Sequence, residues 1–237
     1  GQTFEGEWRA VKGSKWFESF DLYKENGFKE REKAQQVIDY LTQEQPVIGQ
    51  IASIEKKKEK KNPPLLFNLA ELQNECSKRF KISPDETLKI AQELYEKKLT
   101  TYPRTDARVL STAVAKEIHK NLNGLMKYEP AVLFLQEIVG FGSHKGLAKT
   151  RYVNDKQITD HYAIIPTGQG MSALSGLSWT SRAVYDVIVR RFLSIFYPAA
   201  VYQKVAITTK VKEESFFASF KVLAEPGYLK VVGVPGE

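Results

Sequence analysis

Apolar residues recur along this chain with two periods. Ala34, Val37, Ile38 and Leu41 fall at i, i+3, i+4 and i+7, the stripe of an amphipathic helix, which predicts a helix over residues 30–44 ended by Pro46. Before it, Trp8, Val11, Trp16, Phe17, Phe20 and Leu22 are spaced as in strands and punctuated by Gly13 and Gly27; after it, Val47–Ile54 reads as a further strand. Helical spacing then takes over. Leu69, Leu72, Cys76 and Phe80 line one face, and Ser83-Pro84-Asp85-Glu86 sets a cap, a first-turn proline and a glutamate ahead of Leu88, Ala91, Leu94 and Tyr95. Ser111 heads a helix carrying Val114, Ala115, Ile118 and Leu122. Residues 131–139 read as helix, the polar, glycine-bearing 140–157 as loop, and Val184, Val187, Ile188 and Ile195 predict a helix over 181–196 stopped by Pro198. From Ala200 the period returns to two. Val201, Val205, Ile207 and Val211 face one way along one strand, Phe216, Ala218, Phe220 and Val222 along the next, with Lys212–Ser215 as the turn.

The order strand-rich, helix-rich, strand-rich predicts an α+β fold. A discontinuous β domain, residues 1–61 and 199–237, would enclose an inserted, mainly α-helical domain, residues 62–198. The run EKKKEKKN (Glu55–Asn62) before Pro63-Pro64 marks the boundary and reads as a solvated linker or strand end, or alternatively as a basic edge that attracts phosphate. Composition narrows the class. With 237 residues, 42% hydrophobic and 27% charged, the chain is not disordered, and no apolar run nears the roughly 20 residues of a membrane helix. One cysteine, Cys76, excludes an internal disulfide and a Cys-rich zinc site, and its place on a helix stripe reads as core. The net charge of +7 fits a polyanion partner without requiring one. The first residues have neither Met nor a signal-peptide pattern, and the expectation is a piece of a longer protein.

Two stretches carry candidate chemistry. In Thr101-Tyr102-Pro103-Arg104-Thr105-Asp106, Pro103 restricts Tyr102 to extended backbone, and Arg104 falls on the same side as Tyr102 if the segment is extended. A guanidinium beside a phenol can clamp a phosphate and favour the phenolate, the parts of covalent phosphoryl transfer. The plainer reading is a loop tyrosine beside a surface Arg–Asp pair. In Asp160-His161-Tyr162-Ala163-Ile164-Ile165-Pro166-Thr167, His161 leaves a polar loop where it can donate to a phosphate oxygen, whereas His119 and His144 read as structural. No histidine pair has metal-ligand spacing, and there is no phosphate loop or dinucleotide fingerprint.

The stretch Leu65–Ser111, containing TLKIAQELYEKKLTTYPRTDARVLS, resembles the active-site region of type IA DNA topoisomerases, nearest the topoisomerase III branch; DHYAIIPT and RRFLSIFYP resemble further blocks of the same domain. The resemblance implies that Tyr102 is the nucleophile, giving a 5′-phosphotyrosine and a free 3′-hydroxyl without ATP. It implies that Arg104 holds the scissile phosphate, that His161 contacts a phosphate beside it, and that Thr101, Asp106 and Asp160 contact or orient the substrate. It further implies a β-built arch or hinge around the helical domain, single-stranded DNA as partner, no small-molecule cofactor and no membrane, a cytoplasmic, nucleoid-associated enzyme, and relaxation or decatenation by strand passage. Mg²⁺ would be held by a preceding acidic domain of the same protein, since this chain has no DxD; the isolated chain is then expected to bind single strands without cutting them. Two positions depart from the family pattern: Ala107 where serine is common, and Tyr162 where a second histidine is common. A single-strand-binding module without chemistry, in which Tyr102 stacks on a base, is the alternative reading; a purely structural adaptor is the third.

Overall fold

A computed structural model describes residues 2–236. The chain divides into two compact units, one formed by residues up to Lys60 with Val201–Glu225, the other by Lys61–Ala200 with the residues from Pro226 on. Secondary structure is mixed α and β.

The first unit is built on a four-stranded sheet of order β1-β6-β5-β4, from β1 (Glu7–Arg9), β4 (Gln50–Lys61), β5 (Ala200–Val211) and β6 (Glu214–Glu225). β5 and β6 form an antiparallel hairpin closed by Lys212 and Glu213, with Lys212 at φ 55°; the expected turn Lys212–Ser215 is thus shorter, because Val211 already pairs with Glu214. The expected strands over residues 8–23 shrink to β1 and a small antiparallel pair, β2 (Leu22–Lys24) with β3 (Gly27–Phe28). The aromatics there pack on one another instead: Trp8 stacks on Phe28 at 5.3 Å, and Trp16 meets Tyr40 edge-on at 5.6 Å. Tyr40 belongs to α1 (Arg31–Leu41), whose Val37 is buried while Ile38 is exposed. Glu214 is fully buried and accepts from Trp8 Nε1 at 3.1 Å, from the Lys15 amide at 3.0 Å and from the Ser14 hydroxyl. The lysine run is no linker: it continues β4 to Lys61, and its Glu59 takes both Lys204 (3.1 Å) and Lys221 (3.2 Å), which hold its carboxyl below the ordinary range.

The second unit is helical. Its core lies between α2 (Leu69–Phe80), α3 (Pro84–Glu96) and α7 (Trp179–Ser194), where Leu72, Cys76, Leu94, Tyr185 and Phe192 are fully buried. Burial pushes the Cys76 thiol up to about 11, so it stays an inert core group at neutral pH. Asn68, Ser83, Ser111 and Ser178 each accept a backbone N–H at the start of α2, α3, α4 (Thr112–Lys116) and α7. α5 (Ile118–Leu125) and α6 (Val132–Phe141) complete the outer layer, and the expected loop 140–157 contains short 3₁₀ turns at Ser143–Lys149 and Asp155–Gln157. Residues 226–236, expected in the β domain, belong here. Their apolar Leu229 and Val231 are buried on α8 (Leu229–Val232), which packs against α7, and the Arg190 guanidinium donates to the Val231 carbonyl at 2.8 Å. No helix among the described residues is long and apolar enough to cross a membrane.

Candidate active site around Tyr102

The site is assembled by pairing two short segments of the helical unit. The Thr101 amide donates to the Ile165 carbonyl (3.0 Å) and the Thr167 amide to the Leu99 carbonyl (3.0 Å), an antiparallel bridge centred on Thr100 and Pro166. The Thr101 hydroxyl donates to the Ala163 carbonyl and accepts from the Ile165 amide, both at 3.0 Å. Thr101 is thereby committed to the scaffold. Four hydrogen bonds on segments distant in sequence bring Tyr102 beside His161, and their rings stack at 4.2 Å with 30° between planes. Tyr95 also meets the phenol ring, edge-on at 5.3 Å.

The chain beyond Tyr102 is pinned to the start of α2. Pro103 is buried, the Thr105 amide donates back to the Pro103 carbonyl (3.0 Å), and the Thr105 carbonyl accepts from the Leu69 amide (3.1 Å). Asn68 caps α2 with its carbonyl oxygen and donates from its amide to the Asp106 carbonyl (3.2 Å). This bend corrects the extended geometry expected at Pro103-Arg104. Tyr102 lies half-buried, whereas Arg104 is exposed, is not in the lining of the cleft at Tyr102, and makes no hydrogen bond or ion pair among the described residues. The side chains of Asp106 and Asp160 are likewise exposed and bond to none of Tyr102, Arg104 or His161.

A cleft of about 400 Å³ opens at the phenol. Of the residues expected from sequence, Thr101, Tyr102 and His161 line it, with Tyr162; Arg104, Asp106 and Asp160 do not. Tyr95, Lys98, Thr167 and Gln169 also line it and were not singled out as site residues. Tyr95 reads as the end of an apolar helix stripe but is 39% exposed. Lys98 reads as a charge suited to a helix C-terminus; the available signal was its place just past the end of a helix and four residues before the tyrosine. Thr100, in the cleft wall, keeps a buried hydroxyl with no hydrogen-bond partner. A half-buried phenol in contact with two rings, an imidazole at its face, an ammonium and, among the described residues, no carboxylate suit an anionic substrate approached by a tyrosine oxygen.

The family model described as DNA topoisomerase matches residues 7–236. DNA topoisomerase 3 of Bacillus subtilis (strain 168) is 38% identical over 79% of this chain and 25% of its own length. DNA topoisomerase 3 of Bacillus licheniformis is 37% identical over 76% of this chain and 24% of its own. Among solved structures, full-length topoisomerase I from Thermotoga maritima aligns with a TM-score of 0.59 at 21% identity, covering 89% of this chain and 33% of that one, a likeness of fold. The chain spans about a quarter of the length of the curated relatives it matches, and it belongs to the DNA topoisomerase family.

Proposed function

We propose that this chain is the nucleophile-bearing part of a type IA enzyme of the topoisomerase III branch, acting on single-stranded DNA. Tyr102 Oη attacks the phosphorus of a phosphodiester. The bond to the 3′-oxygen breaks, that oxygen formally takes the phenol's proton and leaves as a 3′-hydroxyl, and the 5′-phosphate remains on the tyrosine. Attack by the 3′-hydroxyl reverses these steps. Because the tyrosine diester conserves the free energy of the broken bond, resealing needs no ATP, and strand passage between the two steps gives relaxation or decatenation.

The observation that carries this reading is the Tyr102–His161 stack at 4.2 Å in a cleft that no carboxylate lines among the described residues. His161 fixes the plane of the phenol and can donate to a phosphate oxygen; Arg104, exposed and without a partner, is available to clamp the phosphate bidentately. Thr101 holds the two segments in register, and Asp106 and Asp160 flank the strand's path. Among the described residues no group of three or more His, Cys, Asp or Glu is arranged to hold a metal ion. In this reading Mg²⁺ and the acid that protonates the 3′-oxygen belong to an acidic domain of the intact, cytoplasmic and nucleoid-associated protein. The β-rich unit is then its arch or hinge, and the helical unit the inserted domain it carries.

The test is covalent capture. In a protein of the relatives' full length, a denaturing gel should show single strands attached to the parent and none attached to Tyr102→Phe, which keeps the ring and loses the attacking oxygen. An adduct that persists, or that maps to another tyrosine, overturns the assignment. The 237-residue chain alone should bind single strands and leave them uncut, since a missing general acid withholds roughly 10²–10⁴-fold in rate.

A further inference from the structure

The end of α3 is built around a residue ill suited to its backbone. The Lys98 amide donates to the Tyr95 carbonyl and the Leu99 amide to the Leu94 carbonyl, both at 2.9 Å, the paired bonds of a Schellman cap. The left-handed position of such a cap favours glycine, because a side chain there meets its own carbonyl. Here it is Lys98, at φ 64°. The strained backbone is held from two further sides. The Thr167 hydroxyl donates to the Lys98 carbonyl at 2.6 Å, and Gly170 presses so closely that a Cβ there would stand 2.4 Å from the Lys97 carbonyl oxygen. The lysine side chain therefore starts from a fixed point, and it lines the cleft that holds Tyr102 and His161. Among the described residues no carboxylate lines that cleft and Lys98 makes no ion pair, whereas its neighbour Lys97 is paired with Glu93 at 3.8 Å.

We propose that Lys98 is a substrate-binding residue of this cleft, its ammonium holding a backbone phosphate of the single strand beside the phosphate on which Tyr102 acts. This rests on the reading of the cleft as the strand's binding site. It explains why a lysine stands where glycine would cap the helix with less strain, and it supplies a cation inside the cleft, which Arg104 does not line.

The strain supplies the test. Lys98→Gly relieves the left-handed position and keeps the cap, so its melting temperature should equal or exceed the parent's. Lys98→Arg keeps the charge and the strain. Binding of an oligothymidylate to the 237-residue chain, titrated over salt, should be about fivefold weaker for Lys98→Gly at low salt. Its slope of log affinity against log salt should be shallower by about 0.7, the loss of one phosphate contact, while Lys98→Arg stays near the parent. Parent-like affinity and slope in a well-folded Lys98→Gly would overturn the proposal and leave the function reading standing; a parent that binds no single strand would overturn both.

Discussion

The two units of this chain are stabilised by different means. In the helical unit Phe67, Leu72, Leu94, Tyr185, Phe192 and Phe196 are all less than 2% exposed, and the loop bearing Tyr102 is tied to that core by backbone bonds. In the β-rich unit the buried apolar side chains among the described residues are Ala10, Val37, Val201 and Val205, while Phe20 is 94% and Val222 50% exposed. There the sheet ladder, an aromatic cluster and the buried Glu214 carboxylate do the holding. The difference teaches where precision is placed: a nucleophile needs a rigid support, and it sits on the unit whose stability comes from close-packed apolar volume. A unit held by ladder bonds and few buried contacts opens at lower cost, which suits a part proposed to act as a hinge.

Matched truncations should expose the contrast most strongly. Phe192→Ala leaves a cavity in the helical core and should cost roughly 3–5 kcal/mol. Phe220→Ala, at 44% exposure on the sheet, should cost under about 1 kcal/mol. Chemical denaturation followed by circular dichroism measures both. Comparable losses would show that the sheet has a core of its own weight and end the comparison.

Glu214 sharpens it from the other side. Gln keeps the shape but replaces a carboxylate oxygen with a donor, facing the indole of Trp8, the Ser14 hydroxyl and the Lys15 amide. Losing charge-assisted bonds and leaving one donor unanswered should cost about 2–3 kcal/mol. Tryptophan emission during denaturation reports it, since Trp8 and Trp16 belong to this cluster while Trp179 is 78% exposed. A loss under about 0.5 kcal/mol would mean the aromatics hold the unit without the polar anchor.

The same contrast separates what sequence revealed from what it did not. The helical unit was legible because its apolar stripes have one period and Ser83 marks the start of α3, so α2, α3 and α7 fall within a few residues of expectation. The middle of Trp8–Tyr23, between β1 and β2, was misread as strand because aromatics favour strands by composition, yet here Trp8 and Trp16 meet each other and Trp8 binds Glu214. The lysine run of β4 left linker and strand end undivided because a strand with both faces exposed carries no apolar alternation. Tyr102 and His161 were found as separate motifs; their stacking depends on a bridge between Thr100 and Pro166 that no local pattern encodes. Arg104 was placed beside Tyr102 by assuming extended backbone, and the bend at Pro103 removes that premise. Lys98 escaped because a lysine at a helix end reads as a dipole partner; its left-handed φ is shared by Lys81 and Lys212, and its place in the cleft of Tyr102 is what marks it out.

The smallest expected effect concerns helix starts. The helical unit caps α2, α3, α4 and α7 with side-chain oxygens, whereas α1 of the β-rich unit begins at Glu30, whose side chain makes no capping bond. Glu30 has φ −128° and ψ 140°, the extended conformation in which a short hydroxyl can reach the N–H groups of the first turn. Glu30→Ser should therefore stabilise the unit by about 0.5–1 kcal/mol. The glutamate's charge at the positive end of the helix is lost, an offset of about 0.3 kcal/mol, but Glu32 keeps a carboxylate in that turn. The reverse change in the other unit, Asn68→Ala, removes a cap bond of 2.8 Å and the tie to Asp106, and should cost at least about 1 kcal/mol. Thermal melts of both variants give the comparison. A clear loss at Asn68 with no gain at Glu30 would mean that α1 opens before the sheet does, so that capping it adds nothing to the cooperative unfolding of that unit.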